Sequence, residues 1–264
     1  MRQFIERYFD FEALGTNLRT EVLAGFTTFL TMAYIIFVNP SILSQTGMPA
    51  AAVTAATCLS AAFGSLAMGI IARYPIALAP GMGLNAYFTY VVCLGMGIPW
   101  QAALGAVFLS GVAFLLLTMA GVRQLVIAAI PAELYASVAA GIGLFIAFIG
   151  LHNAGIIVAD PATLVALGNL RNPSTALAIA GLLLIAILMA FRIRAAMLIG
   201  VLATAAAGAL FGLVPWQPQP YRFSEITATA FQFDIAGALS LGFLEVVFVF
   251  LFVDLFDNIG TLVA

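Results

Sequence analysis

The chain has 264 residues, of which 64% are hydrophobic and 8% charged, and its formal net charge is −2. An ordinary soluble domain carries about 25% charged residues, so this composition excludes a water-soluble globular domain and requires lipid to cover the apolar surface. Every basic residue is an Arg, scattered singly, which leaves no basic patch for nucleic acid and no acidic tail for a cationic partner.

The N-terminal stretch 1–17, with Arg2, Glu6, Arg7, Asp10 and Glu12, is too polar for the core of a cleavable signal peptide, so the first span itself directs insertion. A helix needs about 20 apolar residues to cross the hydrocarbon. That ruler places a first span at Val22–Leu43, ended or kinked by Pro40, a second at Ala51–Ala72 and a Gly-interrupted third stretch at Ile76–Gly97. A fourth span follows at Gln101–Gly121, and an amphipathic stretch, Val122–Pro131, leads to a fifth at Glu133–Leu151. The sixth and seventh are Pro173–Phe191 and Ala195–Leu213, and an eighth begins near Gly237 and is still apolar at Ala264. Loops are short except for His152–Asn172 and Val214–Ala236. From a cytoplasmic N-terminus, inner segments hold Arg2, Arg7, Arg19, Arg73, Arg123, Arg192 and Arg194, and outer ones hold only Arg171 and Arg222. That bias follows the positive-inside rule and supports the span count. One polytopic domain fills the chain, and it is expected to be incomplete at its C-terminus.

Ionisable residues at bilayer depth are costly, and each is a functional hypothesis by default. The eighth span carries Glu245, Asp254 and Asp257. Asp254 and Asp257 are three apart and share a helix face, which Asn258 extends. Two carboxylates there suit a site that binds N–H donors or exchanges protons, since burial raises a carboxylate pKa into a range where it loads and unloads. The alternative is a structural helix–helix hydrogen bond, the preferred reading for Glu245.

In the third stretch, Pro75, Pro80, Gly81 and Gly83 disfavour a continuous helix. The expected form is an extended lead-in, Ile76–Ala79, followed by a half-length helix starting around Gly81–Gly83. Non-helical backbone at this depth survives only when buried in protein or lining a cavity, and a broken helix offers unpaired N–H groups and a positive dipole end. Gly81 and Gly83 let a ligand approach the backbone, Asn85 offers both donor and acceptor, and Tyr87, Phe88 and Tyr90 form a stacking wall. A Gly/Pro kink serving packing alone is the competing reading.

Other signals are weaker. Thr27, Thr28 and Thr31 either line a polar path or bond their own helix backbone. Cys58 and Cys93 read as small hydrophobes between helices, with no disulfide or zinc spacing. His152 reads as interfacial, and Glu133 as an acid at a helix start. No phosphate-binding Gly-rich loop, HExxH pair or nucleophile elbow is present, so the chain is not expected to be an enzyme or an ATP-driven pump.

Three strings resemble one family: Ala-Gly-Phe-Thr-Thr-Phe-Leu-Thr-Met-Ala-Tyr-Ile-Ile at 24–36, Ala-Pro-Gly-Met-Gly-Leu-Asn-Ala-Tyr-Phe at 79–88 and Phe-Val-Asp-Leu-Phe-Asp-Asn-Ile-Gly-Thr-Leu at 252–262. They are similar to the nucleobase:cation symporter-2 family, in its azaguanine-like branch of hypoxanthine, guanine and adenine permeases, and the resemblance runs along the whole chain. It implies an all-α membrane fold of fourteen segments in two inverted repeats, with a broken third segment made of a short strand and a half-helix. Core-type spans would be 22–121 and 237–264, and gate-type spans 122–213. By resemblance, Asn85 is the third-segment substrate residue, Asp254 hydrogen-bonds the purine, and Asp257 serves proton coupling. The family's tenth-segment Glu has no counterpart in the 264 residues, so the chain reads as a fragment or truncated product that does not transport by itself. No cofactor is expected, the proton being the coupling ion. The expected setting is the bacterial inner membrane, and dimerisation in related folds leaves a homodimer open. An anion transporter or channel of the same fold is the alternative reading, and two membrane acids argue against it.

Overall fold

The computed structural model describes residues 6, 8–11, 15–74, 76–121, 132–213, 224, 227–239 and 244–263, the side chains at 132–136, 138–139, 142 and 256–263 excepted. In lipid every backbone N–H and C=O must be satisfied within the segment, so the apolar runs become helices. They are α1 (Leu18–Met32), α2 (Ile35–Leu43), α3 (Ala50–Ala67), α4 (Met82–Ala86), α5 (Trp100–Met119), α6 (Ala132–Asn153), α7 (Pro173–Ala190), α8 (Ala196–Leu210), α9 (Ile235–Ala238) and α10 (Leu244–Val263). A 3₁₀ turn, Ser44–Thr46, ends α2, and π-helical stretches Met68–Ala72 and Tyr87–Gly95 extend α3 and α4.

Among the described residues, Leu18–Thr46, Ala50–Ala72, Trp100–Met119 and Pro173–Ala190 are long and apolar enough to cross a membrane. Large side chains such as Phe63 (77% exposed) and Leu210 (86% exposed) face outward, where acyl chains rather than water can cover them. The chain is therefore a multi-pass membrane protein. The expected spans at 51–72, 101–121, 133–151, 173–191 and 195–213 each coincide with a helix. The amphipathic stretch Val122–Pro131 lies outside the described residues.

Two expectations are corrected. The eighth span does not run from Gly237. The Asp234 carboxylate accepts a hydrogen bond from Gly237 N at 2.9 Å and caps a separate short helix, α9, that closes at Leu239; the long helix α10 begins at Leu244. The fold is also not purely helical. Within the loop 152–172, β1 (Ile157–Asp160) pairs antiparallel with β2 (Leu164–Leu167), in register from Ile157↔Leu167 to Asp160↔Leu164. The turn closes because the Asp160 carboxylate accepts from Ala162 N, Thr163 N (both 2.8 Å) and Thr163 Oγ1 (3.0 Å).

Those bonds to the ionised form, the backbone N–H of Thr163 foremost, hold the Asp160 pKa below the usual carboxylate value. A depressed folded-state pKa contributes stability that is present above the ordinary Asp range and is lost as pH falls through the folded value. Hydrogen exchange at Ala162 and Thr163, corrected for intrinsic rate, should stay constant from neutral pH down and accelerate only below the ordinary Asp value of about 3.9.

Two compact units make up the chain. The first comprises Met1–Val38, Ala55–Pro80 and Asn153–Pro220. In it α7 packs on α8 and α8 on α1. Small residues set the α7–α8 approach, Gly181 against Thr204 and Gly200 against Ile185, the usual device for close helix contact in lipid. The N-terminal segment is tied to the end of α3: Tyr8 Oη donates to Ile70 O at 2.9 Å, and Arg73 pairs with Asp10 at 3.2 Å while lying 4.7 Å above the Tyr8 ring.

The second unit comprises Asn39–Thr54, Gly81–His152 and Tyr221–Ala264. Its core gathers Met48, Val53, Phe88, Val92, Cys93, Ala103, Ala106, Ala238, Val246 and Phe250. Helix α5 contacts both α9 and α10. At Gly105 the α9 cap comes so close that an added Cβ would collide with the Asp234 carbonyl oxygen, while nothing stands within 4 Å of one at Gly111. Overpacking of this kind costs about 1–3 kcal/mol. Gly105→Ala should therefore lower the melting temperature of the detergent-solubilised chain by several degrees and Gly111→Ala should leave it unchanged.

Candidate functional site

Arg73, in a left-handed conformation (φ 59°), closes the π-helical end of α3, and residues 76–81 form neither helix nor paired strand. Within the first unit, Ser65 of α3 satisfies this extended backbone twice: Leu78 N donates to Ser65 Oγ at 2.9 Å, and Ser65 Oγ donates to Leu78 O at 3.2 Å. Buried backbone without a ladder needs such partners.

Within the second unit, α4 starts at Met82 with Gly81 as its N-cap residue (φ −68°, ψ 124°) and no side-chain cap. These torsions suit any residue, so what Gly81 contributes is the absence of a Cβ. A glycine N-cap has no side chain with which to accept from the first-turn amides. The helix Met82–Gly95 is too short to cross about 30 Å of hydrocarbon alone. Gly83 is buried, and Asn85 N donates to Gly81 O at 3.3 Å to open the helix.

The Asn85 side chain is partly buried, and its Nδ2 donates to Oδ1 of Asn39, which is only 2% exposed. The aromatic residues that follow have other tasks. Phe88 is a core residue, and Phe250 of α10 meets the Tyr87 ring edge-on at 5.2 Å and the Phe88 ring at 6.4 Å. Tyr90 Oη accepts from Gln45 Nε2 at 3.0 Å. The expected stacking wall is thus largely committed to packing.

Helix α10 contacts α4 and α5. Its buried residues Val246, Phe250 and Leu255 contrast with exposed Phe248 and Phe252, so packing fixes its rotation. Asp254 follows Phe250 by one turn and is partly buried. The structure thereby packs the helix of Asp254 on the short helix of Asn85. Asp257 and Asn258 lie in α10, outside the described side chains. Glu245 is an exposed acid in the first turn, where the helix dipole favours it.

Of the smaller signals, Thr28 donates to Ala24 O and Gly25 O, and Thr31 to Thr28 O, so these hydroxyls serve their own helix. Cys93 is buried but Cys58 is exposed. Asn39, Ser65 and Thr89 emerge only in three dimensions; Thr89 is fully buried and its hydroxyl has no hydrogen-bond partner among the described residues. The one sequence hint for Asn39 is an amide inside an apolar span, directly before Pro40.

A short, apolar helix with a carboxylate-bearing helix packed on it is an arrangement that membrane transport proteins use. The family model described as the Permease family matches residues 19–264, and the chain belongs to that family, the nucleobase:cation symporter-2 permeases. It is 56% identical over 263 residues to a permease of Methanocaldococcus jannaschii, covering 99% of this chain and 60% of that one. It is 48% identical over 259 residues to the adenine permease AdeP of Escherichia coli, covering 98% of this chain and 58% of AdeP. It is also 48% identical over 272 residues to the guanine/hypoxanthine permease PbuG of Bacillus subtilis, covering 98% of this chain and 62% of PbuG. The chain thus spans less than two thirds of the length of these relatives.

Proposed function

We propose that these residues carry the substrate-site portion of a proton-coupled purine nucleobase permease. The observation that supports this most is the packing of α10, with Asp254 on the turn after buried Phe250, against the half-helix that bears Asn85. A purine presents ring N–H donors and ring-nitrogen acceptors on one edge. The Asp254 carboxylate accepts from an N–H, the Asn85 amide supplies a second polar contact, and Gly81 and Gly83 leave the first-turn amides open to a ring nitrogen or carbonyl. Asp257, one turn on, takes up and releases the coupling proton. The relatives named for adenine and for guanine and hypoxanthine favour a purine over an anion.

On this reading the N-terminus is cytoplasmic, spans 22–121 and 237–264 belong to a core and spans 122–213 to a gate, and the plan is fourteen segments in two inverted repeats with a broken third segment. The functional assembly is a membrane-embedded homodimer. The 264 residues alone do not transport, because the relatives that do are longer. Uptake is therefore measured with the complete reading frame that carries these residues, in cells lacking other purine carriers. Radiolabelled hypoxanthine should accumulate, and a protonophore should abolish accumulation above equilibrium. Accumulation indifferent to the protonophore would rule out proton coupling, and robust uptake by the purified 264-residue chain in liposomes would rule out its inactivity.

A further inference from the structure

Asn39 stands in α2 directly before Pro40 and is 2% exposed. A primary amide so placed is costly unless its hydrogen bonds are made. Its Oδ1 accepts from Nδ2 of Asn85, which lies 46 positions further along the chain. An Asn amide is directional, an acceptor at oxygen and a double donor at nitrogen, so this bond decides what Asn85 presents. With Nδ2 turned toward Asn39, Oδ1 of Asn85 is turned away from it.

We infer that Asn39 is a positioning residue for substrate: by accepting from Asn85 Nδ2, it holds the Asn85 amide so that the carbonyl oxygen faces a nucleobase N–H. Asn39 does not touch the substrate; it acts through Asn85. The inference rests on the reading of Asn85 as a substrate-site residue.

Two substitutions separate this role from simple packing. Asn39→Leu keeps the volume and removes the acceptor, whereas Asn39→Asp keeps an acceptor and removes the donors. Loss of one orienting hydrogen bond should raise the KM for purine uptake about tenfold in Asn39→Leu, with Vmax per transporter at the membrane little changed. Asn39→Asp should stay near the parent KM. In an Asn85→Ala background, Asn39→Leu should raise KM no further, because nothing is left to orient.

The inference is overturned if Asn39→Leu leaves KM unchanged, if Asn39→Asp weakens binding as much as Asn39→Leu, or if the Leu effect persists without Asn85. Should Asn39→Leu fail to reach the membrane, Asn39→Ala, which also removes the acceptor, takes its place in the same comparisons, a raised KM that vanishes in the Asn85→Ala background counting for the inference and an unchanged KM against it. Absence of purine uptake in the unsubstituted protein would instead defeat the functional reading, and this inference with it.

Discussion

Asp254→Asn should reduce purine uptake by about a hundredfold or more, at unchanged abundance in the membrane. The substitution keeps size and shape, so α10 should still pack through Val246, Phe250 and Leu255, all buried. What changes is the acceptor. A hydrogen bond to a charged group contributes about 1.5–3 kcal/mol, roughly twice a neutral one, and the amide places a donor where the purine N–H must also donate. The loss combines a weaker attraction with a new repulsion. Initial uptake rates, normalised to surface-labelled protein, give the comparison. A variant that transports at the parental rate would remove Asp254 from the site.

The second large effect is expected at Asn85. Asn85→Ala deletes both ends of the amide, and it also takes away the donor that Asn39 Oδ1 accepts from. Two consequences should appear together. The KM for purine should rise about tenfold to a hundredfold, as expected when a buried polar contact to substrate is lost. The melting temperature of the purified protein should also fall, because one of Asn39's hydrogen bonds is lost inside the core. A fall in stability with an unchanged KM would leave Asn85 a structural residue and move the substrate site elsewhere.

The membrane spans were legible because a run of about 20 apolar residues has one economical solution in lipid. The start of α10 was not. Asp234 reads as a loop acid, and only the contact of its backbone with Gln101 and Gly105 makes it the cap of a separate helix. The β1–β2 hairpin was also hidden, since four-residue strands carry little periodic signal and the turn depends on three bonds to one carboxylate. Asn85 and Asp254 stand out individually as polar groups in apolar runs. That their helices pack together, and that Asn85 bonds Asn39, depends on which helices touch, and a single sequence carries no direct record of that. Phe88 shows the reverse case: a ring beside a polar residue looked available for stacking, yet it is core.

The most direct test of the account is a substrate comparison in proteoliposomes containing the purified, complete reading frame. With an inward proton gradient, labelled adenine, hypoxanthine or guanine should enter, unlabelled purine should compete, and labelled sulfate should not enter. Sulfate uptake that purines leave untouched would contradict it.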